Sequence, residues 1–396
     1  MKKIITFLAA VFCFLSVSFA KNFISKRFFE IQLGVPVDFS NNTMNFDEIF
    51  VKDLCIDLKK IADDVPDEGF NLIALTNPYF GINFNFGPVH VGTNLELDVY
   101  ENLSISKDLF DFLGKGNEIA KEHKVDVKNY TDIFVALNLD VGIEFKKFSL
   151  FLNPSVFVPV MSSSKTNIQL AFVSDENGNV NFSADTNLNM FSNLMLNSSN
   201  QDDMINDLIK GIGFDLGGSL TFPVNKFLLT ATARIPVIPG SYKYNMNMTT
   251  NTGYQVSLSD FSTKDNSNGN SATVSELSEK QYINRPLKVN AYVDYKMLAG
   301  LLEFRGGVGL GVYHPFLEDA FPYPEYYLSA GLNFLDFLKA KVSTEYTNQL
   351  FKHQFAADLN IRIIEIECGV SLQSTNLAKS FSKTGFGGYA VVSFGF

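Results

Sequence analysis

The sequence predicts an all-β fold, a transmembrane antiparallel up-and-down β-barrel of about fourteen strands. Three observations predict it. Alternation of apolar and polar residues recurs along nearly the whole chain, in segments of strand length. The connections between these segments alternate between short and long. The chain opens on a segment built like a secretory signal and closes on an alternating strand that stops at Phe396.

Taken in order, Lys2 and Lys3 form a charged start, Ile4 to Val17 an apolar run and Ser18-Phe19-Ala20 a small-x-small cleavage site. Residues 1–20 therefore read as a signal peptide and 21–396 as one outer-membrane barrel domain. The apolar run is too short to span a bilayer comfortably as a helix, and bulky Phe12 argues against lipid attachment at Cys13. No later stretch is apolar enough for a spanning helix, so strands must do the crossing.

Period-two patterning then places the strands. In Val89 to Val99 one face carries Val89, Val91, Thr93, Leu95, Leu97 and Val99, and the other His90, Gly92, Asn94, Glu96 and Asp98. The same pattern gives strands near 28–37, 78–87, 88–99, 132–145, 148–158, 211–222, 226–237, 287–297, 301–312, 325–335, 337–346, 351–362, 364–372 and 386–396. Short joints fall at Gly87-Pro88, Lys146-Lys147, Pro223 to Lys226, Ala299-Gly300 and Asp336. Long segments at 38–77, 100–131, 159–210 and 238–286, and shorter ones at 313–324 and 373–385, lie between them. This is the rhythm of short periplasmic turns and long extracellular loops, and an even strand count returns both termini to the periplasm. The connection at 347–350 is short for an outer loop. A soluble sandwich is the competing fold, but strands that each keep one charged face leave too little apolar surface to pair two sheets.

Within the long segments, 46–62, Ser106 to Glu122 and Asp202 to Ile209 have helical apolar spacing, with Gly114 and Gly116 as breakers in the second. They read as loop helices that either cap the rim or fold into the lumen as a gate. The Asn- and Ser-rich stretches 197–203 and 247–272 read as mobile surface loops, and Phe172 to Phe182 as a hairpin turning at Asp175-Glu-Asn-Gly178.

Hydrophobic residues make up 46% of the chain but are interleaved with polar ones, as lipid outside and water inside require. With 39 Phe, 15 Tyr and no Trp, any interfacial belt is built from Phe and Tyr. Loss of Lys2 and Lys3 takes the formal charge from -10 to -12, which disfavours nucleic acid as a partner. Cys55 and Cys368 are too far apart in sequence to suggest a metal site or a disulfide framework, and no cofactor is implied.

Charges on the wet faces are the candidate functional residues. Glu96, Asp98, Asp140, Glu144 and Asp215 come from early strands, and Arg234, Arg305, Lys339, Lys341 and Arg362 from later ones. If all face inward, an acidic wall opposes one that holds nearly every cation, an arrangement that sorts polar solutes crossing a pore. The plainer reading is solvated or paired residues filling a narrow barrel. An enzyme is not expected: His90 lies some 20 Å along the strand from Glu96 and Asp98, and no nucleophile elbow, phosphate loop or zinc pair occurs.

The last strand, with Val392, Phe394 and Phe396 on one face, resembles the C-terminal assembly signal of Gram-negative outer-membrane barrels. Such signals often carry Gly five residues before the end, where this chain has Val391. Architecture over residues 28–396 resembles the fourteen-stranded long-chain fatty acid transporter type, whose Asn-Pro-Ala element is matched at two residues by Asn77-Pro78-Tyr79. In its Asn-, Lys- and Phe-rich style the chain is also similar to uncharacterised spirochaete barrels. The resemblance implies a place in the outer membrane, with its lipid and the barrel assembly machinery as partners. The expectation is a porin-like channel or transporter with small solutes or lipids as cargo; the alternatives are a fatty-acid or hydrophobic-compound transporter and a structural or adhesive barrel.

Overall fold

The computed structural model describes residues 27–45, 57–116, 122–163, 166–176, 179–194, 201–257, 263–265, 269–317, 320–381 and 384–396. The expected signal peptide, Cys55 and most of the helix expected over 46–62 lie outside these residues. In chain order the elements are β1 (Phe29–Asn41), α1 (Leu58–Asp64), β2 (Phe70–Thr76), β3 (Tyr79–Phe86), β4 (Val89–Ile105), α2 (Lys107–Lys115), β5 (Glu122–Glu144), β6 (Ser149–Ser162), β7 (Thr166–Ser174) and β8 (Asn179–Ser192). There follow α3 (Gln201–Lys210), β9 (Gly213–Val224), β10 (Phe227–Ile238), β11 (Gly240–Ser257), β12 (Thr263–Asp265), β13 (Gly269–Ile283) and β14 (Leu287–Met297). The chain ends with β15 (Leu302–Tyr313), β16 (Phe321–Phe334), β17 (Leu338–Thr347), β18 (Leu350–Ile361), β19 (Ile364–Ser374) and β20 (Gly385–Gly395).

Register partners close these strands into an antiparallel barrel, sealed where Glu30 to Ser40 of β1 pair with Gly395 to Gly385 of β20. The circuit runs β1, then β2 and β3 end to end, β4, β5, β6, β9, β10 and β14, and from there through each strand in turn to β20. The closed barrel has 16 strands, close to the expected count of about fourteen; the circuit accounts for fifteen of them, in fourteen staves with β2 and β3 end to end. Connections at one end are tight. Gly87, at φ 65, makes the reversal between β3 and β4 that a residue with a Cβ resists. At the other end even the expected short link is a two-residue turn, with Asn348 and Gln349 at φ 50 and 65.

The barrel is apolar outside and polar inside. Leu33 is 52% exposed and Val308 67% exposed on the outer face, whereas Glu30, Asp215, Glu345, Lys352 and Glu365 are buried within. A water-soluble protein of this size would reverse that arrangement; a transmembrane barrel needs it.

Above the long-loop end the wall continues as a polar sheet. β5 pairs with β7 over 122–129, β7 with β8, β8 with β11, and β11 with β13. This corrects the expectation that 247–272 is a loop. Its described parts are strands without apolar alternation, held by ladder bonds and by polar pairs such as Thr249 with Ser271 at 2.6 Å and Asn251 with Asp185 at 2.5 Å. The expected hairpin is present and longer than its signal, with Phe172 opposite Phe182 and Asp175 accepting from the Asn179 backbone at 2.8 Å. α1 begins at Asp57, whose carboxylate accepts from the Lys60 N–H at 3.0 Å. α2 packs on it so closely that a Cβ at Gly114 would stand 2.2 Å from the Leu58 carbonyl, so Gly114 marks a contact and Gly116 alone ends the helix.

Candidate functional site

Strand alternation turns the polar residues of every stave inward, and together they enclose a cavity of about 940 Å³. Seven of the ten charges expected to face the lumen line it: Glu96, Asp98, Asp140, Arg234, Arg305, Lys339 and Lys341. The other three lie elsewhere. Glu144 is exposed at the end of β5, Arg362 sits at φ 60 in the turn between β18 and β19, and Asp215 is fully buried beneath Arg285.

Opposed acidic and basic walls do not form. Cations are met by carboxylates one or two staves away: Arg305 with Asp294 at 2.8 Å, Lys339 with Asp358 at 2.9 Å, Lys288 with Glu325 at 2.8 Å and Lys341 with Glu367 at 3.8 Å. Lys352 reaches Asp38 at 2.6 Å and Glu345 at 3.5 Å. Burial makes this pairing necessary, because an isolated charge in the wall would be far costlier than a matched one.

Sequence reasoning missed Arg285. It follows β13 in a segment that read as loop, yet its side chain is 1% exposed and spans the interior. Its guanidinium donates to Asp98 at 2.7 Å and Glu96 at 3.4 Å on β4, and to Asp215 at 3.3 Å on β9 and Ser155 at 3.2 Å on β6. The flanking residues fix the backbone: Asn284 donates to the Pro315 carbonyl at 2.9 Å, and Arg234 to the Pro286 carbonyl at 3.3 Å. One side chain thus ties three staves together. An Asn-Arg-Pro run beside a strand carries no signal of this, since its acids lie 70 or more positions away.

Towards the long-loop end the lining becomes aromatic. Tyr100 is the register partner of Asp132, and Tyr130 stands two residues along β5 on the same face. The Tyr100 ring lies 5.6 Å from Tyr130 and 5.4 Å from Tyr313, centre to centre. Tyr130 donates to Asp132 at 2.7 Å, and His314 contacts Asp132 at 3.2 Å and also the Tyr130 hydroxyl. His90, by contrast, bonds Asn85 at 2.7 Å.

The wall's ladder is interrupted most widely beside β1; a shorter interruption leaves Leu139 and Asp140 of β5 unpaired with Pro154 and Asn153 of β6. β1 pairs with β3 up to Gly34 opposite Tyr79 and resumes with β2 at Asp38 opposite Leu75, so register carries through unchanged while three residues on each side do not pair with one another. Those residues include Pro36 and Pro78, neither of which has an N–H to give. The Thr76 hydroxyl donates to the Pro36 carbonyl across the gap. Leu75, Thr76, Asn77 and Tyr79 all border the cavity, while Leu33, Phe80 and Leu95 are exposed outside.

No protein-family model matches the sequence, and no curated protein is similar to it. Solved structures are. The toluene transporter TodX of P. putida superposes with a TM-score of 0.51 over 95% of this chain and 91% of its own, at 7% identity. This chain has the same fold. The Ralstonia pickettii toluene transporter TbuX gives 0.44 over 94% and 90% at 6% identity, and a Pseudomonas aeruginosa FadL homologue 0.43 over 95% and 91% at 10% identity. At these identities the likeness is one of architecture, and the first structure carries it.

Proposed function

We propose that the protein is an outer-membrane transporter for small molecules with an apolar body, which enter at the aromatic mouth and leave sideways into the membrane through the seam at 35–37 and 76–78. The observation that carries this reading is the break in the hydrogen-bond ladder where two prolines meet beside the cavity. Backbone groups exposed to lipid must be paired, so an interruption marks where the wall can open, and this one, three residues long on each strand, is wider than the two-residue interruption between β5 and β6. The transporter whose fold the chain shares is named for toluene, a cargo of this kind. On this reading residues 1–20 are a cleaved signal, 21–396 form the barrel in outer-membrane lipid, and Phe394 and Phe396 serve insertion by the assembly machinery. Both rings are outward and exposed, and Phe394 stands beside Ile31 and Ile364 where the barrel closes. Cells that display the chain in a lipopolysaccharide outer membrane should accumulate labelled toluene several-fold faster than cells without it. Equal rates would sink the proposal.

A second reading, a channel for polar solutes, is favoured by the lining itself. Thirteen carboxylates and seven cationic side chains border the cavity, an acidic surplus of six. A conducting pore so lined prefers cations. In planar bilayers at asymmetric KCl the reversal potential should show potassium favoured over chloride; a chloride-selective or silent barrel would refute it.

A further inference from the structure

The acidic surplus and the aromatic mouth meet at one place. On the inner face of β4 and β5, register partners stack in rungs: Asp98 opposite Phe134, then Tyr100 opposite Asp132, then Asn102 opposite Tyr130. On the lower rung the protein supplies its own cation, since the Arg285 guanidinium lies 2.7 Å from Asp98. On the next rung no Lys or Arg comes within ion-pair distance of Asp132 among the described residues. Asp132 is 5% exposed and borders the cavity, its Oδ2 takes the Tyr130 and His314 contacts, and its Oδ1 is buried with no hydrogen-bond partner. A buried carboxylate oxygen left without a donor is costly unless something that enters the site supplies one. Tyr100 and Tyr313, which also border the cavity, stand beside it.

We infer that this rung is a binding site for organic cations: compact ammonium or amidinium groups carried on an apolar or aromatic body. The carboxylate of Asp132 supplies the charge and the Tyr100 and Tyr313 rings supply electron-rich faces, the pairing by which proteins recognise alkylated ammonium groups. The surplus of lining carboxylates draws cations to the mouth and repels anions. The inference names a cargo class for the transporter proposed above and rests on that reading for the ligand's route, though not for its binding.

The test uses the mature protein in detergent, titrated calorimetrically with phenyltrimethylammonium and, separately, with benzenesulfonate, alongside toluene accumulation by cells. The ammonium should bind and the sulfonate should not. Asp132→Asn, nearly isosteric and still able to accept from Tyr130, should weaken the ammonium roughly tenfold, and Tyr100→Leu by a similar factor. Tyr100→Phe, which keeps the ring, should recover most of the loss. Heat-modified gel mobility reports whether each variant is a folded barrel. Equal binding of cation and anion, or unchanged binding in folded Asp132→Asn, would overturn the assignment. Toluene accumulation without ammonium binding would overturn the cation site and leave the transport proposal standing; ammonium binding without toluene accumulation would do the reverse.

Discussion

With Cys55 and Cys368 replaced by serine, the double variant Pro36→Cys/Asn77→Cys is expected to lose toluene accumulation at least about tenfold when oxidised and to regain it with a thiol reductant. The two positions face each other: register runs unbroken from the Gly34–Tyr79 pair to the Asp38–Leu75 pair, which sets 36 opposite 77. Alternation turns both inward, where Pro36 is buried and Asn77 borders the cavity. Opposed residues of an antiparallel pair lie at a spacing that a disulfide accepts, and once formed it holds the two Cα atoms within about 7 Å. A molecule that passes sideways must push these strands apart, so the bond blocks it. A molecule that crosses along the barrel axis is unaffected, because the bond narrows neither end. The measurement therefore separates the two routes. If accumulation persists in the oxidised protein, with crosslinking verified by mass spectrometry, lateral exit is wrong. If the ion conductance of the second reading survives the same bond, the seam and the axial path are independent.

How much of this was legible in the sequence depends on whether a feature is local to a strand. The expected segment 148–158 starts one residue before Ser149–Ser162 and otherwise lies inside it, and 364–372 lies within Ile364–Ser374, because side-chain alternation is written residue by residue. The tight turn at Gly87-Pro88 was legible for the same reason. The upper sheet was not. Beyond Met248, β11 and the facing part of β13 carry Asn, Ser and Thr without apolar alternation, so the strand looked like loop. Pairing of charges was hidden for a different reason. Asp38 and Lys352 are separated by more than 300 positions, and only closure of the barrel and its register brings them together. The facing of Pro36 and Asn77 is hidden likewise, even though each proline is plain to see. For the site, the acidic character of β4 and β5 could be read directly. Arg285 and His314 could not, since each is delivered by a connection whose path no periodicity describes.

The largest stability effect is expected at Arg285. Replacing it with Met keeps most of the stem's volume but removes the guanidinium that Glu96, Asp98 and Asp215 share, and Asp215 is 0% exposed. Breaking a buried ion pair from one side costs about 3–5 kcal/mol, because the remaining charge has neither water nor partner. Arg285→Met should therefore lower the urea midpoint of the folded barrel in lipid vesicles by a corresponding amount. The loss is not the worth of the pair, and a second substitution separates the two. Asp215→Asn removes the most deeply buried of the three acids while retaining the side chain's shape. Alone it destabilises, since Arg285 then answers to fewer charges; combined with Arg285→Met it relieves the stranded carboxylate. The double variant should be more stable than the sum of the single losses predicts, with a coupling of about 1–3 kcal/mol. Strict additivity would mean that Arg285 and Asp215 do not interact in the folded wall, and the three-stave clamp would have to be abandoned. Glu96 gives a further contrast: it also accepts from Asn77 and Asn138, at 3.5 and 2.9 Å, so it keeps donors when the guanidinium is gone. Its coupling to Arg285 should be weaker than that of Asp215, and the order of the two couplings tests whether burial or distance governs the cluster, because the two ion-pair distances, 3.4 and 3.3 Å, are nearly equal.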